Sequence, residues 1–141
     1  MDTDLHAIIY VSSLTEVIDV ELAQQSILKN REYNQRNNIT ALVVFAHGNI
    51  LAMMEGPKEL IYAKYKENMS GHHHGFLKLY DKPIPNRYFK NYPLAVKVLG
   101  MAKWRSLDDF QEPAHVDIFQ QCLVLDVPPM KVLKDFVKNN V

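Results

Sequence analysis

The sequence predicts an α+β domain: a mixed sheet with two helices on one face and a helical cover on the other. The run Ile39 to Ala46 is apolar and rich in β-branched residues, which is typical of a strand buried on both faces. The turn-forming stretch His47-Gly48-Asn49 follows, and the apolar run Ile50 to Met54 predicts the next strand before Glu55-Gly56-Pro57. Strand and helix patterns then occur in the order β-α-β-β-α-β-β, which is typical of a ferredoxin-like sheet.

The first strand is predicted at Leu5 to Ser13. One of its faces carries Leu5, Ala7, Ile9 and Val11, and the other carries His6, Ile8, Tyr10 and Ser12. Because both faces include apolar residues, we expect this strand to be central and covered on both sides.

The first helix is predicted from Asp19, a suitable N-cap, to about Asn34. Its apolar stripe consists of Leu22, Ala23, Ile27 and Leu28. Asn37 and Asn38 end the helix, because Asn tolerates left-handed backbone and competes for local hydrogen bonds.

Pro57 suits the start of a second helix, predicted over Lys58 to Met69 and ended by Ser70-Gly71. The apolar face of this helix consists of Leu60, Ile61 and Tyr65. Two further strands are predicted, at Gly75 to Tyr80 and Tyr92 to Leu99, and the proline-rich stretch Asp81 to Pro85 breaks the first of them.

The C-terminal part of the chain predicts two more helices, at Val116 to Val124 and Met130 to Val137, separated by Pro128-Pro129. The two long helices leave one sheet face bare, so we expect this segment to cover it. The predicted division is a domain over residues 1–97 and a helical segment over 98–141 packed on it.

Composition narrows the class of protein. The chain has 141 residues with 16 basic and 16 acidic side chains, which argues against a nucleic-acid groove or an anionic membrane surface as its main partner. A single cysteine, Cys122, suits a reducing compartment, and no apolar run approaches the length of a membrane span. The acidic start, Met1 to Asp4, is unlike a secretory signal, so a cytoplasmic protein is expected.

Several chemistries have no motif in this sequence. It lacks a phosphate-binding glycine loop, a cysteine pair at zinc spacing and a His-Glu-x-x-His helix. The run His72-His73-His74 invites a metal interpretation, but adjacent residues of an extended chain point in opposite directions, so a solvated loop is favoured. Cys122 has no evident activating neighbour and is expected to be a buried thiol.

Tyr10 and Asn34 each have an ordinary structural interpretation. A tyrosine on a central strand is usually a core residue whose hydroxyl finds a neighbour, and an asparagine at a helix end is usually a cap. Met53 and Met54 point to opposite faces of their strand and are expected to fill the core.

A family resemblance gives some of these residues a shared role. The stretches that carry it are Ile8 to Ser13, Asn34 with Ile39-Thr40, the Gly48 turn, Glu55-Gly56-Pro57, Asp81-x-Pro83-Ile84 and Arg87-x-Phe89. Together they resemble the BLUF family of flavin-binding blue-light sensors over about residues 5–97. The resemblance implies a flavin, usually FAD, between the two helices. It also implies a tyrosine–glutamine–asparagine hydrogen-bond network that light rearranges.

The resemblance assigns cofactor-binding positions to Tyr10, Asn34, Ala52 and His73. Tyr10 matches the light-active tyrosine and Asn34 the flavin-bonding asparagine. The family's glutamine falls on Ala52, whose methyl group can neither donate nor accept a hydrogen bond. His73 matches the last residue of an Asp-x-Arg-His stretch.

Three further stretches depart from the family pattern. Thr-Gly is replaced by Thr40-Ala41, and only the histidine of the Asp-x-Arg-His stretch remains in Ser70-Gly71-His72-His73. The Trp-Ser-Met of the last strand falls on Tyr92-Pro93-Leu94. The departures are therefore concentrated where the flavin chemistry is expected.

The sequence supports a sensory or regulatory module of flavin-binding descent, with its photocycle impaired at Ala52. Since no catalytic output domain is expected to follow, the signal should pass through a protein partner or through self-association. The alternative is a flavin-free interaction module on the same scaffold. An enzyme is not expected, because the sequence shows no set of acid, base and nucleophile.

Overall fold

The computed structural model describes residues 4–14, 20–46, 48–69, 73–99 and 118–139. Its first part contains β1 (Leu5–Leu14), α1 (Val20–Arg36), β2 (Thr40–Ala46), β3 (Asn49–Pro57), α2 (Lys58–Asn68), β4 (His73–Pro83) and β5 (Ala95–Leu99). Two helices follow, α3 (Ile118–Leu123) and α4 (Pro128–Asn139). The predicted order β-α-β-β-α-β-β is therefore confirmed.

The strands form one mixed sheet in the order β4-β1-β3-β2-β5. The pairs β1–β3, β1–β4 and β2–β3 are antiparallel, whereas β2 and β5 are parallel. β1 is therefore paired on both sides, and its two faces point to different cores, as its sequence predicted.

The two faces of the sheet are covered by different helices. Ile8 and Tyr10 of β1 pack with Ala23 and Ile27 of α1 and with Ile61 of α2. The opposite face carries Ile9, Leu42 and Leu51, which pack with buried residues of α3 and α4: Phe119, Cys122, Met130, Leu133 and Phe136. Both the two-helix face and the predicted C-terminal helical cover are confirmed.

Local backbone geometry agrees with the predicted chain reversals. Asn38 adopts a left-handed φ of 57° directly after α1, and Gly48 has a φ of 84° between β2 and β3. An asparagine reaches such values more readily than most side chains, and glycine does so freely.

Several predicted boundaries were wrong. β3 continues beyond Met54 to Pro57, because Glu55 still pairs with both β1 and β2. β4 runs on to Pro83, beyond the break predicted at Asp81, because it is an edge strand and tolerates a terminal proline. β5 begins only at Ala95, after a turn in which the Tyr92 backbone N–H donates to the Phe89 carbonyl.

The helices differ from prediction in smaller ways. Leu22 and Leu28 were expected on the buried stripe of α1, yet they are 54% and 53% exposed. Of the four residues of that predicted stripe, only Ala23 and Ile27 are buried. α2 ends at Asn68, and α4 begins at Pro128, where a missing N–H costs no helical hydrogen bond. Asp19, Ser70-Gly71 and Val116 lie outside the described residues.

The predicted boundary between residues 97 and 98 falls within β5. The division of the chain into a domain and a C-terminal segment stays a prediction. Among the helices that the structure describes, none combines the length and apolar character needed to cross a membrane.

Candidate functional site

Tyr10 and Ala52 lie side by side on neighbouring strands. Tyr10 of β1 pairs directly with Ala52 of β3, and Ala52 pairs on its other side with Val43 of β2. Directly paired residues point to the same face of a sheet, so both side chains face the two-helix side. The Ala52 methyl group thus lies beside Tyr10 and offers its hydroxyl no hydrogen bond.

The Tyr10 hydroxyl finds its partner on α2 instead. The Asn68 side-chain Nδ2 donates to the Tyr10 oxygen over 2.9 Å. The Tyr10 ring contacts Tyr65 and Phe76, with ring centroids 5.1 and 5.3 Å away. Burial raises the pKa of Tyr10 to about 12, although the Asn68 hydrogen bond lowers it in part. Tyr10 therefore keeps its proton at neutral pH.

Asn34 is held near the end of α1 with half of its amide unused. Its Nδ2 donates to the Pro93 carbonyl over 2.8 Å, and its own backbone carbonyl accepts from the Ile39 N–H. The residue is 3% exposed, and its buried Oδ1 has no hydrogen-bond partner among the residues that the structure describes. An unsatisfied buried acceptor is costly, so this atom marks a position suited to a donor from a ligand.

Lys64 links the two helices on this face. It is 4% exposed, and its ammonium group donates to Asn30 Oδ1 on α1. The same ammonium lies 4.3 Å from the centroid of the Tyr33 ring. Burial lowers the pKa of Lys64. We refer to Lys64, Asn30 and Tyr33 as the interhelical clasp.

The interhelical clasp lies one helical turn from Asn34 on α1 and from Asn68 on α2. Asn30 precedes Asn34 by one helical turn, and Lys64 precedes Asn68 by one turn, a separation of about 6 Å along each helix. The space between the helices is therefore crossed by a charged side chain.

Glu55 explains why one of the motif stretches matters to the fold. This carboxylate is 1% exposed and accepts three hydrogen bonds, from the backbone N–H groups of Tyr88 and Phe89 and from the Thr40 hydroxyl. Burial raises the pKa of Glu55, and these bonds together with Arg87 counter part of that effect. Glu55 thus joins β3 to β2 and to the segment before β5.

Gly56 and Arg87 complete the same brace. A Cβ on Gly56 would lie 2.9 Å from the Asn38 carbonyl oxygen, so only glycine fits there. Arg87 donates to that carbonyl over 2.8 Å and to the Thr40 hydroxyl over 3.0 Å. These motif residues hold the fold together. Glu55 and Gly56 do not pair with Tyr10 in the register of β1 and β3.

Asp81 is the centre of a second polar cluster. It accepts hydrogen bonds from His6, from Tyr62 over 2.7 Å and from Lys78 over 2.7 Å. Partial burial raises the pKa of Asp81, but the hydrogen bonds from Lys78, His6 and Tyr62 outweigh it and hold the pKa well below its usual value. The cluster ties β4 to β1 and α2.

The histidine run and Cys122, the remaining candidates from the sequence, show no feature of a functional site in the described part of the structure. His73 begins β4 with strand backbone, rather than the loop expected for the histidine run, while His72 lies outside the described residues. Within the described ranges, no group of three or more potential metal ligands occurs together. Cys122 is buried, and burial raises its pKa to about 12, which confirms the prediction of a buried thiol.

Sequence reasoning missed Asn30, Lys64 and Asn68. A signal was available on α2, because Ile61, Lys64 and Asn68 are spaced by three and four residues and so share one helix face. Two polar residues on the face that buries Ile61 indicate polar partners inside the protein.

Comparison with known proteins identifies the fold. Among solved structures, the chain is similar to BlrB, a BLUF protein in its dark state, at 19% identity and a TM-score of 0.65, covering 70% of this chain and 75% of that one. It is similar to photo-activated BlsA at 14% identity and a TM-score of 0.67, covering 96% and 94% of the two chains. Such identities show a shared fold.

A bacterial light-regulated adenylyl cyclase is also similar, at 22% identity and a TM-score of 0.66. The match covers 75% of this chain but only 32% of the cyclase chain. The comparison with curated proteins found no match.

The family model described as "BLUF: Sensors of blue-light using FAD" matches residues 5–95, which is more than half of the chain. The ferredoxin-like sheet and the two helices over Tyr10 agree with that match. The chain therefore belongs to the BLUF family of blue-light sensors.

Proposed function

We propose that this BLUF domain binds FAD between α1 and α2 and acts as a sensory module whose light response is impaired. A bound flavin would supply the absorption of blue light and the ability to accept an electron. Tyr10 and Asn34 are the residues proposed to contact it, and Ala52 would adjoin it without a hydrogen bond. His73 remains a proposed contact whose side chain lies outside the described part of the structure.

The observation that carries this proposal is the buried Asn34 Oδ1, which has no hydrogen-bond partner in the described part of the chain. A flavin ring has an imide N–H, and a buried acceptor without a partner fits such a donor. The Tyr10 hydroxyl accepts from Asn68 and so still has its own proton to donate. The two buried groups thus offer an acceptor and a donor, which fits the polar edge of a flavin.

Titration of the protein with FAD tests this proposal. We expect Asn34→Ala to weaken binding by about 2- to 12-fold, because a buried hydrogen bond typically contributes about 0.5–1.5 kcal/mol. The substitution also removes the hydrogen bond to the Pro93 carbonyl. Gln35→Ala, an exposed neighbour on α1, is the matched control. Equal affinities in the Asn34 and Gln35 variants would contradict the assignment.

Ala52 supports an impaired photocycle. With FAD bound as the electron acceptor, Tyr10 would still be available as an electron donor, but the residue beside it on β3 has no amide to rearrange. We expect FAD-loaded protein to show no lasting red-shifted absorption after blue light. Ala52→Gln should restore part of such a shift, with Tyr92 and Leu94 limiting full signalling. A reversible red shift in the unmodified protein would refute the role given to Ala52.

Signal output is proposed to run through a protein partner or self-association. The chain corresponds to about a third of one light-regulated adenylyl cyclase, so a fold of this kind occurs within a longer chain. Light scattering on the FAD-free and FAD-loaded protein tests self-association. One mass in both states would leave a separate partner as the output route. A cytoplasmic location stays a prediction.

The alternative is a flavin-free interaction module, and the interhelical clasp favours it. Lys64 already crosses the space between the helices and is bonded to Asn30 on the far side. If neither the unmodified protein nor Lys64→Met binds FAD, the alternative replaces the proposal.

A further inference from the structure

Tyr10 has an amide partner, but it comes from a helix rather than from the sheet. Asn68 is the last residue of α2, and its Nδ2 lies 2.9 Å from the buried Tyr10 oxygen. The two residues are 58 positions apart in the chain. The contact therefore exists only because α2 packs over β1.

The direction of this hydrogen bond matters for the hydroxyl. An amide NH₂ group only donates, so the Tyr10 oxygen is the acceptor and its own proton must point elsewhere. Ala52, directly opposite on β3, offers neither a competing donor nor an acceptor. Among the described residues, Asn68 is thus the side chain that forms a hydrogen bond with this hydroxyl.

Steric surroundings restrict the phenol further. Tyr65 and Phe76 contact the Tyr10 ring at 5.1 and 5.3 Å, and the Tyr65 ring meets it at an interplanar angle of 63°. The ring is packed, so the hydroxyl cannot move far to find another partner. The NH₂ group of a new amide at position 52 would therefore have to share the Tyr10 oxygen with Asn68, although its carbonyl oxygen could still accept the Tyr10 proton.

We propose that Asn68 is a positioning residue for Tyr10, which holds the hydroxyl oxygen toward α2 and directs its proton into the space between the helices. A consequence of this proposal also rests on the proposed function: Asn68 competes with the NH₂ group of any glutamine introduced at position 52 for the Tyr10 oxygen. Ala52→Gln alone then gives a weak light response, and removal of the Asn68 amide strengthens it.

The first experiment needs no flavin. The protein is labelled with ¹³Cζ-tyrosine, and the Tyr10 resonance is assigned by its loss in Tyr10→Phe. We expect this resonance to shift in Asn68→Leu and also in Asn68→Asp, which replaces the donor by an acceptor of similar size. Asn86→Leu, at an exposed position, should leave it in place. A Tyr10 resonance unmoved by both Asn68 variants overturns the proposal.

The second experiment uses FAD as the probe. Light-minus-dark absorption spectra are recorded for Ala52→Gln, for Asn68→Leu and for the double variant, each at saturating FAD. We expect the red-shifted amplitude of the double variant to exceed that of Ala52→Gln several-fold, with none in Asn68→Leu. Equal amplitudes in Ala52→Gln and in the double variant would refute the competition.

The two experiments separate the two proposals. Failure of every variant to bind FAD removes the proposed function, while the resonance of Tyr10 still decides whether Asn68 positions it. An Asn68→Leu protein that does not fold is replaced by Asn68→Ala in both measurements, because Ala also removes the amide without adding an acceptor.

Discussion

Removal of the Lys64 ammonium should open the space between the helices to flavin. In Lys64→Met the side chain keeps a similar length but loses its hydrogen bond to Asn30 and its contact with the Tyr33 ring. A hydrogen bond from a charged group contributes about 1.5–3 kcal/mol, and a cation–π contact about 0.5–2 kcal/mol. The cost of burying the ammonium offsets part of this sum.

The net cost of displacing Lys64 is therefore about 1–3 kcal/mol, which corresponds to about 5- to 150-fold in affinity. Flavin binding to the unmodified protein must meet this cost, whereas binding to Lys64→Met does not. We expect the dissociation constant for FAD, measured by fluorescence titration, to fall by a factor in that range.

Controls on the same helix and across the clasp sharpen the test. Lys66→Met removes a charge from an exposed position of α2 and should leave the affinity unchanged. Asn30→Ala breaks the clasp from the other helix and should raise the affinity by a smaller factor. Weaker FAD binding by Lys64→Met would refute the reasoning, because it would mean that Lys64 contacts the flavin favourably.

Three further predictions concern the fold. Gly56→Ala should lower the free energy of unfolding in urea by about 1–3 kcal/mol, because the new Cβ meets the Asn38 carbonyl; an unchanged midpoint would contradict this. Asp81→Asn should cost about 1–3 kcal/mol at pH 7. Since the folded-state pKa of Asp81 is depressed, the unmodified protein should lose this advantage as the pH falls below about 4, and a gap that is constant with pH would refute the linkage. A chain ending near Gly100 lacks α3 and α4 and should lose solubility or change its oligomeric state; an equally soluble protein of unchanged mass would argue against the cover.

Local sequence patterns determined most of the fold. The apolar runs flanking Gly48 predicted the β2–β3 hairpin, and the two apolar faces of β1 predicted its central place in the sheet. Asn38 was expected to end α1 and does so with a left-handed backbone. These features depend on residues close together in the chain, so periodicity and turn chemistry are enough to predict them.

The ends of β3 and β4 were determined by pairing between distant parts of the chain more than by local strand propensity. Pro83 was expected to lie outside β4, but its position at an edge strand beside His6 lets the ladder continue. Glu55, a poor strand residue by composition, is carried into β3 by three hydrogen-bond donors from elsewhere in the chain. Such donors are not visible in a local window of sequence.

The polar contacts of the candidate site required the tertiary structure. Tyr10, Asn34 and Ala52 could be named from a family resemblance, but the interhelical clasp and the bond from Asn68 to Tyr10 could not. Helical spacing shows that Lys64 and Asn68 share a face with Ile61, yet it does not show what that face meets. The partners lie 34 and 58 residues away, on a different helix and on the sheet, and only the packing of α1 and α2 over β1 brings them within hydrogen-bond distance.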